Sequence, residues 1–193
     1  THIVAVKSTS LFGFNRLTIQ DLSSASMQPF QYGQNWLIFN GEIYNWKELR
    51  QELEVRGIQF KTHGDTEVLS IGLSLEGSAF LTKLNGIFAF CFYDQESDTY
   101  LVARDLMGVK PLYYSSTPKG LVIASDVNSI LQFIENLEPN SEVLSTHISL
   151  DWFTGHHQTE TFYKGIHAVK RGSFMHFDSV GKLLSEQTNE RIN

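Results

Sequence analysis

Cysteine is almost missing from this chain. The single Cys91 excludes an intrachain disulfide and any metal site built on paired cysteines. Long apolar runs are missing too: the longest, Ile87 to Tyr93, is far short of the roughly 20 residues that a membrane-spanning helix needs. Positive charge is in deficit, with 15 Lys and Arg against 21 Asp and Glu and a net charge of −6. The basic residues are scattered, so neither a nucleic-acid partner nor a membrane surface is expected. No charged leader followed by an apolar segment opens the sequence, and the expected location is cytoplasmic. The seven histidines form no i, i+4 pair with a nearby acid, and His156-His157 reads as a loop pair, so no metal is expected. No glycine-rich phosphate loop is present, and no nucleotide cofactor is expected in these residues.

What is present can fill a sizeable core: 41% of the 193 residues are apolar and 12% aromatic. The length fits one large domain, or one domain with an extension. The most informative stretch is Phe39-Asn40-Gly41-Glu42-Ile43-Tyr44-Asn45. A strand-like run, Trp36-Leu37-Ile38-Phe39, stops at Asn40-Gly41, and a helix begins near Trp46. Asn40 offers a side-chain amide donor, and Gly41 lets a ligand approach its backbone N–H. Two such donors at a strand end can hold a developing negative oxygen, while Glu42 beside them can hold a positive group. A lone Asn-Gly would read as a hairpin turn, but the flank here is a helix.

The remaining pattern predicts a mixed α+β domain. Thr1 to Val6 and Leu11 to Phe14 read as strands. Asn45 to Arg56 reads as a helix, with Asn45 and Glu48 as a capping box and Gly57 as its stop. Ile58 to Lys61 reads as a strand. A second helix opens at Gly64-Asp65-Thr66-Glu67, with Asp65 suited to cap it and Val68, Leu69, Ile71, Leu73 and Leu75 as its apolar side. Over Ile87 to Tyr93 the three phenylalanines 88, 90 and 92 face one way, and Ala89, Cys91 and Tyr93 the other. Both faces are apolar, so this strand is expected to be covered on both sides, with Cys91 as a small buried hydrophobe. Arg104 to Lys110 reads as a salt-bridged turn before an aromatic strand, and Asp126 as the cap of a short helix. Ser145 to Phe153 reads as a helix, and Thr161 to Val169 and Ser173 to Phe177 as strands closed by a last hairpin at Asp178 to Lys182.

Four separated motifs resemble one family in the right order. Phe39 to Asn45 resembles the Asn-Gly-Glu-Ile-Tyr-Asn signature of class II glutamine amidotransferase domains, above all those of asparagine synthetases. Arg16-Leu17-Thr18-Ile19 resembles the family's Arg-Leu-Ser-Ile, with Gln28-Pro29 as its usual follow-on. Gly64 to Glu67 and Arg104 to Tyr114 resemble its Ser/Gly-Asp-Thr-Glu and Arg-Asp-x-x-Gly-x-Lys-Pro-Leu-Tyr-Tyr blocks. The resemblance implies the four-layer α-β-β-α sandwich of N-terminal-nucleophile hydrolases. It divides the chain into a glutaminase-like core, 1–133, and an extension, 134–193, that completes the domain and leads toward a synthetase domain.

The resemblance also implies roles. The side chain of residue 1 attacks glutamine with its own α-amine as base, and Asn40 with Gly41 holds the oxyanion. Arg16 takes the α-carboxylate, with Ile19 in the same substrate-binding motif, and Glu42 with Asp65 takes the α-ammonium. Arginine suits the first task because its planar fork pairs with a carboxylate in two places. The implied partners are L-glutamine and a synthetase domain on the same or a separate chain, with ATP and magnesium belonging to that domain; a homodimer is open to it. Two departures stand out. The family has Cys at position 1, where this sequence has Thr1 followed by His2. It also carries about thirty further residues between Ser10 and Leu11, a length that loops reach mainly when functional or disordered. Thr1 leaves three readings: a hydroxyl nucleophile, a replacement of the cysteine in a domain kept as a platform for an amide-forming synthetase, or a true terminus other than Thr1.

Overall fold

A computed structural model describes residues 2–7, 10–14, 27–149 and 159–188. In chain order its strands are β1 (His2–Lys7), β2 (Ser10–Phe14), β3 (Phe30–Tyr32), β4 (Asn35–Ile43), β5 (Gly86–Asp94), β6 (Thr99–Arg104), β7 (Tyr113–Thr117), β8 (Gly120–Ala124), β9 (His167–Ala168), β10 (Ser173–Asp178) and β11 (Leu183–Thr188). The helices are α1 (Trp46–Val55), α2 (Asp65–Glu76), α3 (Val127–Leu131) and α4 (Ser141–Ile148), with a 3-10 helix over Gly77–Lys83. The strand richest in phenylalanine, β5, lies inside a six-stranded antiparallel sheet of order β11-β10-β6-β5-β4-β3.

The alternation along β5 separates two cores. Phe88, Phe90 and Phe92 join Leu37, Phe39 and Ile43 of β4 under α1 and α2. Ala89, Cys91 and Tyr93 face the other way, where Phe12, Leu112 and Val169 cover them. The second layer consists of the β1–β2 hairpin and a three-stranded sheet, β8-β7-β9. Ser115, on the outer face of β7, is only 1% exposed, and α3 packs on β7 and β8. The order is therefore helix, sheet, sheet, helix, the α+β sandwich expected from the sequence. Leu37, Leu53, Ile71 and Val102 are wholly buried, each such side chain contributing about 1.5–3 kcal/mol. Burial pushes the Cys91 thiol up to about 12, as befits a core residue.

Several expectations are corrected. Residues 58–61 are not a strand. The buried Glu67 carboxylate accepts from the N–H of Lys61 and Thr62 and from the Thr62 hydroxyl, so a side chain serves this backbone instead of a neighbouring strand. Asn45 does not cap α1 with its side chain. Its Nδ2 donates to the Lys83 carbonyl and its Oδ1 accepts from Asn85 N–H, which ties the end of β4 to the start of β5. Asp65 is the first residue of α2 and not its cap, which is Gly64. Leu75 lies off the buried side of α2, 43% exposed. The helix sought at 145–153 begins earlier, at Ser141, where Asn140 accepts from Val143 N–H. The strand sought over Thr161–Val169 shrinks to His167–Ala168.

Candidate active site

Parity along β4 fixes what its last residues can do. In the antiparallel pair of β4 and β5, Gly41 stands opposite Phe88, Phe39 opposite Phe90 and Ile43 opposite Gly86. The backbone of Phe88 points away from β4, since its carbonyl accepts from Asp105 N–H. Phe39, Gly41 and Ile43 consequently aim their N–H groups at the opposite edge of β4. Two of the three are taken. Phe39 N–H donates to Gln28 Oε1 at 2.6 Å, and Ile43 N–H donates to Asp65 Oδ2 at 3.0 Å. The Gly41 N–H lies between them and faces the window that Gln28 and Asp65 frame. Strand geometry puts about 6–7 Å between successive donors of this edge, room for one ligand oxygen at Gly41.

Glycine is required at position 41. Its φ is +152°, and a Cβ there would overlap the Ile87 carbonyl oxygen and lie 2.7 Å from Phe88 Cα. Gly86 mirrors it, since a Cβ at that residue would overlap the Glu42 carbonyl oxygen. The two glycines let the ends of β4 and β5 close together. Asn40 and Glu42 alternate with the core residues Phe39 and Ile43, so their side chains leave β4 on the face that looks toward the second layer. That layer includes β1, whose partner β2 sends Phe12 into the second core. Asn40 is half-buried and Glu42 exposed.

Asp65 is 8% exposed at the start of α2. Burial holds its carboxyl above the usual carboxylate range; backbone hydrogen bonds, led by Ile43, pull it down only in part, and the charge of Glu42 pushes it up. A cationic group placed beside Asp65 and Glu42 would relieve both penalties.

The other side of Phe88 is saturated. Asp105, 1% exposed, accepts from the N–H groups of Phe88, Met107, Val109 and Lys110. Arg104 donates to the carbonyls of Lys110, Val169 and Gly108. The expected salt-bridged turn is thus held differently: both charges bind backbone, and no Arg104–Asp105 ion pair is found among the described residues.

The structure therefore brings Asn40, Gly41, Glu42 and Asp65 together at one end of β4. Thr1, Arg16 and Ile19, and the pair His156-His157, lie outside the described residues. Among the described residues no group of three or more His, Cys, Asp or Glu side chains is placed to hold a metal ion, and no helix is long and apolar enough to cross a membrane. Sequence reasoning met Gln28 only beside Pro29, as a follow-on to the Arg16 motif, and missed that it frames one side of the window. No periodicity marks a side chain that pairs like a strand.

A family model described as a glutamine amidotransferase domain matches residues 2–187. Over 143 residues the chain is 38% identical to asparagine synthetase (glutamine-hydrolyzing) 1 of Bacillus subtilis strain 168, covering 73% of this chain and 22% of that protein. It is 35% identical over 174 residues to a putative asparagine synthetase (glutamine-hydrolyzing) of Mycobacterium tuberculosis H37Rv, covering 85% and 26%. The chain thus spans about a quarter of the length of these curated relatives. Among solved structures, glutamine phosphoribosylpyrophosphate amidotransferase from B. subtilis superposes with a TM-score of 0.60 at 21% identity, over 88% of this chain and 33% of that one. The allosteric regulatory enzyme of purine biosynthesis gives 0.56 at 22% identity, over 81% and 29%. At such identities these two likenesses speak for the fold.

Proposed function

The chain belongs to the glutamine amidotransferase domain family, and from that premise we propose that it hydrolyses L-glutamine and passes the ammonia to an ATP-dependent, asparagine-synthetase-like domain on the same or a separate chain. The observation that carries the reading is the Gly41 N–H, aimed into a window whose neighbouring donors are already engaged by Gln28 and Asp65. The proposed reaction requires a free α-amine on Thr1, which, with a reference pKa of about 8, takes the proton of the Thr1 hydroxyl. The oxygen attacks the carboxamide carbon. The Asn40 amide and the Gly41 N–H receive the negative oxygen of the tetrahedral intermediate. Ammonia leaves with the transferred proton, an ester remains on Thr1, and water cleaves it to glutamate. Arg16 holds the α-carboxylate, with Ile19 in its motif, and Glu42 with Asp65 the α-ammonium. ATP and magnesium are assigned to the synthetase domain.

Thr1 in place of cysteine favours a second reading, a platform that keeps the pocket without turnover. One experiment separates the two: glutamate release by the parent, Thr1→Cys, Thr1→Ala and Asn40→Ala. A thiol with a reference pKa near 8.5 is a few per cent ionised at neutral pH, whereas a hydroxyl is essentially never ionised. Thr1→Cys is therefore expected to raise a weak parental rate, and the two alanine variants to abolish it. A folded Thr1→Cys as inactive as Thr1→Ala would leave the platform.

A further inference from the structure

Gln28 stands where β3 would have continued. β3 pairs Phe30 with Leu37, and two more residues of that register set Gln28 opposite Phe39. Its side chain, and not its backbone, makes the ladder there: Nε2 donates to the Phe39 carbonyl at 2.9 Å and Oε1 accepts from the Phe39 N–H at 2.6 Å. Pro29, between Gln28 and β3, has no N–H to contribute. A carboxamide reproduces the donor and acceptor of one peptide unit and then ends. A backbone strand in the same place would run on and pair with Gly41. We propose that Gln28 is the positioning residue of the Gly41 donor, a role that rests on the glutaminase reading and deepens it. The buried side chain, 7% exposed, seals the edge of β4 at Phe39, stops the ladder there, and leaves the next N–H for a ligand oxygen.

Both halves of the carboxamide are needed. Methionine keeps the length and loses both hydrogen bonds. Glutamate, when ionised, keeps an acceptor for the Phe39 N–H but sets a charge against the Phe39 carbonyl; when protonated, it regains a donor. The role is therefore separable from simple core filling.

The first test is amide hydrogen exchange on the whole chain, followed residue by residue by NMR. In the parent, Phe39 and Ile43 are expected to be protected about tenfold or more relative to Gly41, since exchange reports hydrogen bonding along an edge. Gln28→Met should lose the protection at Phe39 and leave Ile43 unchanged. In a turning-over Thr1→Cys background, Gln28→Met should lower kcat by about tenfold to a hundredfold with KM within about threefold, because an oxyanion donor acts in the transition state. Gln28→Glu should show the same loss at neutral pH and, toward acid, recover both the Phe39 protection and kcat relative to the parent's at the same pH, which keeps the test open if Gln28→Met fails to fold. A Gly41 amide as protected as Phe39 in the parent, or a Gln28→Glu variant whose pH profile follows the parent's, would overturn the assignment. Absence of turnover in Thr1→Cys counts against the glutaminase reading, and the exchange pattern then decides the role of Gln28.

Discussion

Two buried aspartates sit on either side of the Gly41–Phe88 row of the main sheet, and the chain uses them in opposite ways. Asp105 accepts four backbone N–H groups, one from β5 and three from the loop that follows β6. Asp65 accepts one N–H from outside its own helix, that of Ile43 at 3.0 Å, with a marginal 3.5 Å contact from the Thr66 hydroxyl. Its carboxyl is held high by burial and by Glu42. A carboxylate saturated by its own backbone has nothing left for a ligand. One that is buried, less fully served and beside another acid carries an electrostatic cost that a bound cation removes. The longest sequence motif, Arg104 to Tyr114, therefore builds a pedestal, while the shorter Asn40-Gly41-Glu42 with Asp65 frames the candidate site.

The sharpest way to break this contrast is to empty the saturated side. Asp105→Ala strands four N–H groups, all served by one buried acid. A loss of about 4 kcal/mol is expected, since hydrogen bonds to a charged group are worth about 1.5–3 kcal/mol each and share their cost when removed together. Urea unfolding reads it directly. A loss below about 1 kcal/mol would mean that the loop repacks and that the saturation is incidental. The next effect belongs to the site. Gly41→Ala forces a Cβ into the Ile87 carbonyl at a φ of +152°. A cost of about 2–4 kcal/mol is expected, together with loss of L-glutamine heat in calorimetry, whereas D-glutamine gives none in either protein. An unchanged L-glutamine isotherm would show that the close approach of β4 and β5 is not what shapes the pocket.

Much of this was legible in the sequence. The alternation of Phe88, Phe90 and Phe92 with Ala89, Cys91 and Tyr93 announced a strand covered on both faces, because a strand apolar on both sides buries them only between two layers. The grouping of Asn40, Gly41, Glu42 and Asp65 was legible through the motifs. The misreadings share a cause: a side chain took over a backbone's task. Glu67 serves the N–H groups at 61–62, so an apolar segment that looked like a strand is a loop. Asn45 left its capping role to join Lys83 and Asn85. The Gln28 side chain likewise supplies the donor and acceptor that one backbone residue would have offered Phe39. Such substitutions depend on which segments meet in space, and local pattern carries no record of that. The stretch from Arg104 looked like a salt-bridged turn; Arg104 and Asp105 instead each answer a different set of backbone groups.

The smallest expected effect is also the most discriminating, because its sign differs from the others. Asp65→Asn keeps an acceptor for the Ile43 N–H and removes the buried charge. The folded-state pKa of Asp65 is raised above its ordinary value of 3.8, first by burial and last by the charge of Glu42, against hydrogen bonds from Ile43 and the start of α2. A group raised in this way binds protons more tightly folded than unfolded. Its contribution to stability therefore falls as pH climbs from 3.8 through the folded-state value, and stays lowered above it. Asparagine does not titrate, so the variant should match the parent in strong acid and exceed it in Tm at neutral pH. The same substitution removes one of the two charges proposed to meet the α-ammonium, so L-glutamine affinity should fall while stability rises, the trade expected of a residue kept for binding. Asp65→Ala, which also strands the Ile43 N–H, should lose the gain in Tm. The measurement is thermal unfolding of parent and both variants from pH 3 to pH 8, paired with glutamine titration at neutral pH. If Asp65→Asn is destabilised at neutral pH by as much as Asp65→Ala, Asp65 is a structural acid like Asp105, and the distinction between the two sides of Phe88 collapses.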